Sequence, residues 1–184
     1  MTILKSSEDI KRENDDQIEH HEDFRMFGLI IFLIADGMTF AGFFAAYLTY
    51  KAVNPLPDGA IYELELAIPT INTILLLISS ATFHKAGKAL INRNNSNSRK
   101  WLLITSSLGI IFLACQLYEY FHLPFGLTDN LFASTFYALT GFHGLHVTLG
   151  TLMILIIFWQ SRIDGGIVTY KNMFPLEAVE LYWH

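Results

Sequence analysis

Long apolar runs separated by short polar stretches set the pattern of the chain. The first run, Met26 to Tyr50, reads MFGLIIFLIADGMTFAGFFAAYLTY and holds one formal charge, Asp36, eleven positions in. A helix of 25 residues rises about 37 Å, enough to cross a hydrocarbon core of about 30 Å with some tilt. Ala67 to about Lys85 predicts a second span, with Pro69 in its first turn, where a missing N–H costs little. Trp101, an interfacial residue type, opens a third span ending near Phe121, and Phe132 to Gln160 forms a fourth. Pro175 then opens PLEAVELYWH, which reads as the first turns of a fifth helix with too few residues to cross. The fold class predicted is all-α: a polytopic membrane helix bundle of four complete transmembrane helices plus the start of a fifth.

The polar stretches divide the chain into a tail, residues 1–25, and a bundle, residues 26–184. The tail is rich in Lys, Glu, Asp, Asn and Gln and has no apolar core of a secretory signal. Disorder or a surface helix is expected there. Its His20 and His21 lack a nearby third ligand for a metal. The first loop, 51–65, carries the turn signals Asn54-Pro55 and Pro57-Asp58-Gly59. The second, 84–100, holds Lys85, Lys88, Arg93, Arg99 and Lys100 and no acid. A short turn region follows at His122 to Leu131, with Pro124, Gly126 and Asp129, and a further loop at Ser161 to Phe174. Placing the tail in the cytoplasm puts eleven of the twelve basic residues on that side, leaving only Lys51 outside. Basic residues near span ends favour the cytoplasmic face, so the N-terminus is assigned there and the fifth segment heads outward.

Composition agrees with this layout. Hydrophobic residues make up 52% of the chain, and 15 Phe are more than a soluble domain of 184 residues hides comfortably. A single cysteine, Cys115, excludes an internal disulfide and any multi-cysteine zinc or iron–sulfur site. The net charge of −5 comes largely from the tail and carries little information about partners.

Candidate chemistry is sparse. A carboxyl at mid-span costs on the order of 2.5–3.5 kcal/mol to insert, so Asp36 is expected to face protein or a bound polar group. It is either a proton-relay acid or a structural acid bonded to a polar neighbour. His143 and His146 lie three apart and share a helix face. That spacing suits two ligands to haem, copper or zinc, yet His84 and His122 lie at the span ends, away from the depth of the pair. Hydrogen bonding to a neighbouring helix or subunit is the expectation. Glu119, in the last turn of its span, reads as an interfacial acid, and Glu63 and Glu65 as loop acids before a helix N-terminus.

Several motifs in order resemble subunit III of the haem–copper terminal oxidases, in its short bacterial or cyanobacterial-type form. They are Ser134-Thr135-Phe136-Tyr137, Thr140-Gly141-Phe142-His143-Gly144-Leu145-His146-Val147 with Gly150, and Tyr182-Trp183-His184. Phe40-Ala41-Gly42-Phe43-Phe44, Pro69 with Asn72-Thr73, and Gln116 with Glu119-Tyr120 before Pro124-Phe125 support them. The similarity spans residues 24–184. It implies an accessory subunit with no catalytic residue, metal or redox centre of its own, beside a subunit I that holds haem and copper and a subunit II that faces cytochrome c. It also implies support of proton uptake, protection of the catalytic subunit, ordered phospholipid, and residence in a bacterial plasma membrane or a cyanobacterial plasma or thylakoid membrane. Asp36 stands at the family's intramembrane acid, while Glu119, His143, His146 and His184 become candidates for subunit or lipid contact.

Two departures qualify the match. The cytochrome c branch has Glu where Asp36 stands, and the quinol-oxidising branch has Asp. Thr140-Gly141-Phe142-His143 and Asn72-Thr73 favour the cytochrome c branch, so an aa3-type cytochrome c oxidase is expected, with a quinol oxidase as the alternative. The family also continues past Trp-His with Phe-Val-Asp and a last apolar span, so a truncated chain is expected. An autonomous proton-conducting protein relaying through Asp36 would need a polar track, and the first span offers only Thr39, Tyr47 and Thr49. A membrane metalloenzyme would rest on His143 and His146 alone.

Overall fold

In a computed structural model the chain is all-helical, ordered α1 (Ser7–Val53), α2 (Ala67–Ile91), α3 (Asn95–His122), α4 (Leu131–Gln160) and α5 (Phe174–Trp183). The structure describes residues 7–53, 67–162 and 172–184, with side chains from 24 onward except 67 and 68. The turn signals of the first loop, Glu63, Glu65 and the side chains of His20 and His21 lie outside the described residues. Four of the helices are long and apolar enough to cross a membrane: Phe24–Val53, Pro69–Ile91, Asn95–His122 and Leu131–Gln160. The bundle of four complete spans plus a shorter fifth helix is therefore the fold.

Local chemistry sets the helix ends. Asn94 caps α3, its side chain accepting from the Asn97 N–H at 3.1 Å. Asn130 does the same for α4, accepting from the Ala133 N–H at 2.6 Å. At the far end of α3, Leu123 is extended because Pro124 disfavours the helical region for the residue before it. Between α2 and α3 the chain reverses through Arg93, whose φ of 56° is left-handed. There the Asn94 N–H donates to the Ala89 carbonyl at 2.9 Å and closes the end of α2.

The chain divides into two compact units, residues 1–38 and 39–184. The first holds the leading part of α1. In the second, two apolar clusters lie toward opposite ends of the spans. One joins Phe83, Ala86 and Leu90 of α2, Leu102 of α3, Ile154 and Ile157 of α4, and Leu176 and Val179 of α5. The other gathers Phe132, Ala133 and Phe136 of α4 around Phe125 of the connecting turn. Small polar residues are buried between α2 and α3 as well: Ser79, Thr105 and Ser106 are almost wholly enclosed, and the Thr82 and Thr105 hydroxyls meet at 2.8 Å. Large apolar side chains point outward instead, among them Ile74 and Leu77 of α2, Ile110 and Leu117 of α3, and Leu149 and Ile156 of α4. Small residues inside and large apolar residues outside is the arrangement lipid favours, where close backbone approach holds helices together.

Candidate functional site

The unit of residues 39–184 contains a cleft of about 450 Å³ reached by α1, α2, α3 and α4. Its walls are mainly apolar, from Phe40, Pro69, Leu76, Phe112, Phe136 and Leu139. Its polar lining comes from Asn72 and Thr73 of α2, Gln116, Glu119 and Tyr120 of α3, and Thr140 and His143 of α4.

Helical periodicity brings these groups together. Gln116 and Tyr120 are one turn apart on α3, and Thr140 faces them from α4. The Gln116 amide nitrogen donates to the Thr140 carbonyl at 2.7 Å and to the Tyr120 hydroxyl at 3.1 Å. Tyr120 in turn donates to Thr140 Oγ1 at 2.7 Å, and Thr140 Oγ1 donates to the Phe136 carbonyl at 2.7 Å. A carbonyl only accepts, so the direction of the chain is set at both ends. Both amide hydrogens of Gln116 are thereby used, and its Oε1 is buried without a hydrogen-bond partner among the described residues. The Oδ1 of Asn72, a side chain only 5% exposed, is in the same condition. The Gln116 amide lies on Gly144: a Cβ there would meet Oε1 at 3.1 Å and Nε2 at 3.2 Å.

The two histidines of α4 share a face but meet different neighbours. His143 lines the cleft, with Phe112 edge-on at 5.7 Å and Phe40 at 6.1 Å. His146 stacks on Tyr182 of α5 at 4.1 Å, and its Nε2 donates to the Tyr182 carbonyl at 3.1 Å. Phe40 also meets His146 at 5.6 Å and Phe142 at 4.9 Å. Glu119 is half-buried and lines the cleft. His184 lies apart, donating from Nδ1 to the Glu180 carbonyl at 2.7 Å and stacking on Phe83 at 6.5 Å. Asp36 is half-buried near the middle of its span, in the unit of residues 1–38. Glu119 and His143 thus share one site, while His146 and His184 do not line it.

The Gln116–Tyr120–Thr140 chain and the buried Asn72 form the polar heart of the cleft. In sequence these residues stand out only as carriers of the resemblance or as polar residues of a packing face. Two further polar contacts hold α5: the Trp183 indole N–H donates to Ser79 Oγ at 3.1 Å, and His84 Nδ1 lies 3.2 Å from Glu180 Oε1. Among the described residues no three of His, Cys, Asp and Glu gather into a metal-binding group. What the cleft can do chemically is accept hydrogen bonds inside an apolar enclosure.

Comparison with known proteins covers the whole chain. A model of the family "Cytochrome c oxidase subunit III" matches residues 1–184. Cytochrome c oxidase subunit 3 of Synechocystis sp. is 53% identical over 166 residues, 89% of this chain and 70% of that protein. The subunit 3 of Thermostichus vulcanus is 43% identical over 171 residues, 92% of this chain and 84% of that one. A mammalian subunit 3, from Antidorcas marsupialis, is 34% identical over 195 residues, covering 100% of this chain and 74% of its own length. With four apolar spans, the motif run through His143 and His146, and a family match from end to end, the chain belongs to the cytochrome c oxidase subunit III family, integral membrane components of a haem–copper respiratory oxidase complex.

Proposed function

We propose that this chain is the accessory, non-redox subunit III of an aa3-type cytochrome c oxidase. It docks on subunit I, which holds haem and copper, with subunit II and bound phospholipid nearby, and it supports proton uptake and the working life of the catalytic subunit. The tail and the basic α2–α3 turn lie on the cytoplasmic side of the membrane. The observation that carries this reading is Asp36: a carboxyl half-buried in the middle of an apolar span, where lipid supplies no partner. A residue so costly to insert marks a place where protons or a polar neighbour are served. Glu119, His143, His146 and His184 contribute contacts to neighbouring subunits or lipid and hold no metal.

Asp36→Asn in the assembled oxidase tests the role. The variant should insert, assemble and keep the haem spectrum of the complex, while proton uptake slows or activity decays within fewer turnovers. A lost haem spectrum would count against an accessory role, and unchanged uptake and lifetime would remove Asp36 from it. Turnover with reduced cytochrome c, set against turnover with a quinol, decides between the cytochrome c and quinol branches.

A further inference from the structure

The turn between α2 and α3 presents its side chains outward. Seven consecutive residues, Ile91 to Asn97, are exposed. Ser96 is among them, whereas Ser98, two positions on, is only 3% exposed. Ser161, at the end of α4 on the same side of the bundle, is half-buried and donates to the Phe158 carbonyl at 2.7 Å. Among the described residues, Ser96 is therefore the accessible hydroxyl of the face read as cytoplasmic.

Its neighbours are cations. Arg93 lies three residues before it, and Arg99 and Lys100 lie three and four after it, one turn along the same face of α3. Arg99 donates from Nε to the Asn95 carbonyl at 3.2 Å, so its guanidinium is held over the first turn, beside residue 96. Lys85, by contrast, is drawn onto the Trp101 ring, at 4.8 Å. No Asp or Glu occurs between Glu65 and Glu119. A free anion would gain little from such exposed cations, because surface ion pairs in water are weak. A phosphoryl group attached to Ser96 is held beside them permanently, and it brings about −1.5 to −2 charge at pH 7 with three acceptor oxygens. A cation-rich exposed segment also fits the acidic groove of a protein kinase by charge complementarity.

We propose that Ser96 is a phosphorylation site, modified from a nucleoside triphosphate by a serine kinase whose acidic groove reads Arg93. Ser96 Oγ attacks the terminal phosphorus and forms the new P–O bond. The bond from that phosphorus to the bridging oxygen breaks, the nucleoside diphosphate leaves with its electron pair, and the hydroxyl proton passes to a kinase carboxylate. The phosphoserine then pairs with Arg99 and Lys100 and turns a wholly cationic patch into a mixed one, a regulatory input at the cytoplasmic face of the subunit. The proposal rests on the cytoplasmic placement of this turn, since nucleoside triphosphates are held on that side.

The test treats the intact oxidase in detergent, where both membrane faces are open, with ATP and a purified serine kinase that selects Arg three residues before its target. Peptide mass spectrometry locates the modified residue. Ser96 should gain a phosphoryl group. Arg93→Ala should slow the modification about tenfold, the worth of one charge-assisted hydrogen bond, and Ser98→Ala should leave its rate unchanged. Amide hydrogen exchange in the first turn of α3 should slow on phosphorylation, and Arg99→Ala should remove that slowing. Oxidase isolated from cells in the presence of phosphatase inhibitors should carry the same phosphopeptide. No label on Ser96 in detergent, label only after denaturation of the complex, an undiminished rate in Arg93→Ala, or absence of the phosphopeptide from cells would each overturn the proposal and leave the orientation of the bundle untouched. Sealed vesicles separate the two: labelling of Ser96 only from the external face would overturn both.

Discussion

Asp36 shows how much a single side chain can say when its surroundings are apolar. Its depth follows from counting residues along the first span, and in the structure its side chain is partly exposed. A hydrophobic carbodiimide, which reacts with a carboxylic acid in apolar surroundings, should therefore label Asp36 in the assembled oxidase, read as a mass shift on its peptide. Modification by a water-soluble carbodiimide alone would remove the sheltered-acid reading. Thr105 offers a different test. Its hydroxyl is fully buried and meets Thr82 across the α2–α3 contact. Thr105→Val keeps the shape and removes that bond, at a cost of about 0.6 kcal/mol and no more than about 1.7, typical of interhelical hydrogen bonds in membranes. Helicity followed during denaturant titration in micelles measures it. Asp36 and the paired histidines were legible because a charge or an imidazole inside an apolar run needs no structure to be noticed. The orphan acceptors of Asn72 and Gln116 were not, because an amide is unpaired only relative to partners such as Thr140, 24 positions from Gln116, whose geometry the sequence does not contain.

Helix α5 reaches the bundle through Trp183, and two glycines make room for it. A Cβ at Gly150 would stand 2.7 Å from Trp183 Cε3, and one at Gly109 would stand 2.6 Å from Thr151 Oγ1 and 3.0 Å from Trp183 Cη2. The indole fits only because α3 and α4 both omit a side chain, and it completes the fit by donating to Ser79 on α2. Gly150→Ala should cost about 1–3 kcal/mol by overpacking. The cost is expected to shrink sharply in a Trp183→Ala background, and a double-mutant cycle on unfolding in micelles reads that coupling. Additive effects would mean that Gly150 is small for another reason. The helices themselves were legible from apolar runs, and so were both ends of α4 and the far end of α3, but other ends were not. The run from Trp101 understates α3, which starts at Asn95, and the second run ends near Lys85 where α2 continues to Ile91. α1 likewise extends through polar sequence back to Ser7. Hydropathy marks where lipid begins, whereas a helix stops where capping chemistry stops it, as at Asn94 and Leu123.

At the scale of the molecule, the bundle turns its large apolar side chains outward and keeps serine, threonine and glycine between its helices. Water would not stabilise that arrangement, because outward Leu and Ile would drive association. A bilayer does, and the charge pattern of the sequence gives it an expected direction, since placing the tail in the cytoplasm puts eleven of twelve basic residues on that side. The capped α2–α3 turn displays Ser96 among exposed residues, and the turn before α4 displays Thr128. Three helix crossings of odd and even count leave no freedom: if the tail is cytoplasmic, Ser96 is cytoplasmic and Thr128 is external. Cys115 lies half-buried in α3, so replacing it with Ala leaves a background suited to new labels. A membrane-impermeant maleimide should then modify Thr128→Cys in intact cells and Ser96→Cys only after permeabilisation. The reverse pattern would invert the bundle and place the cleft that holds Asn72 and Gln116 in the cytoplasmic leaflet. Labelling of both sites in intact cells would mean that α3 does not cross at all.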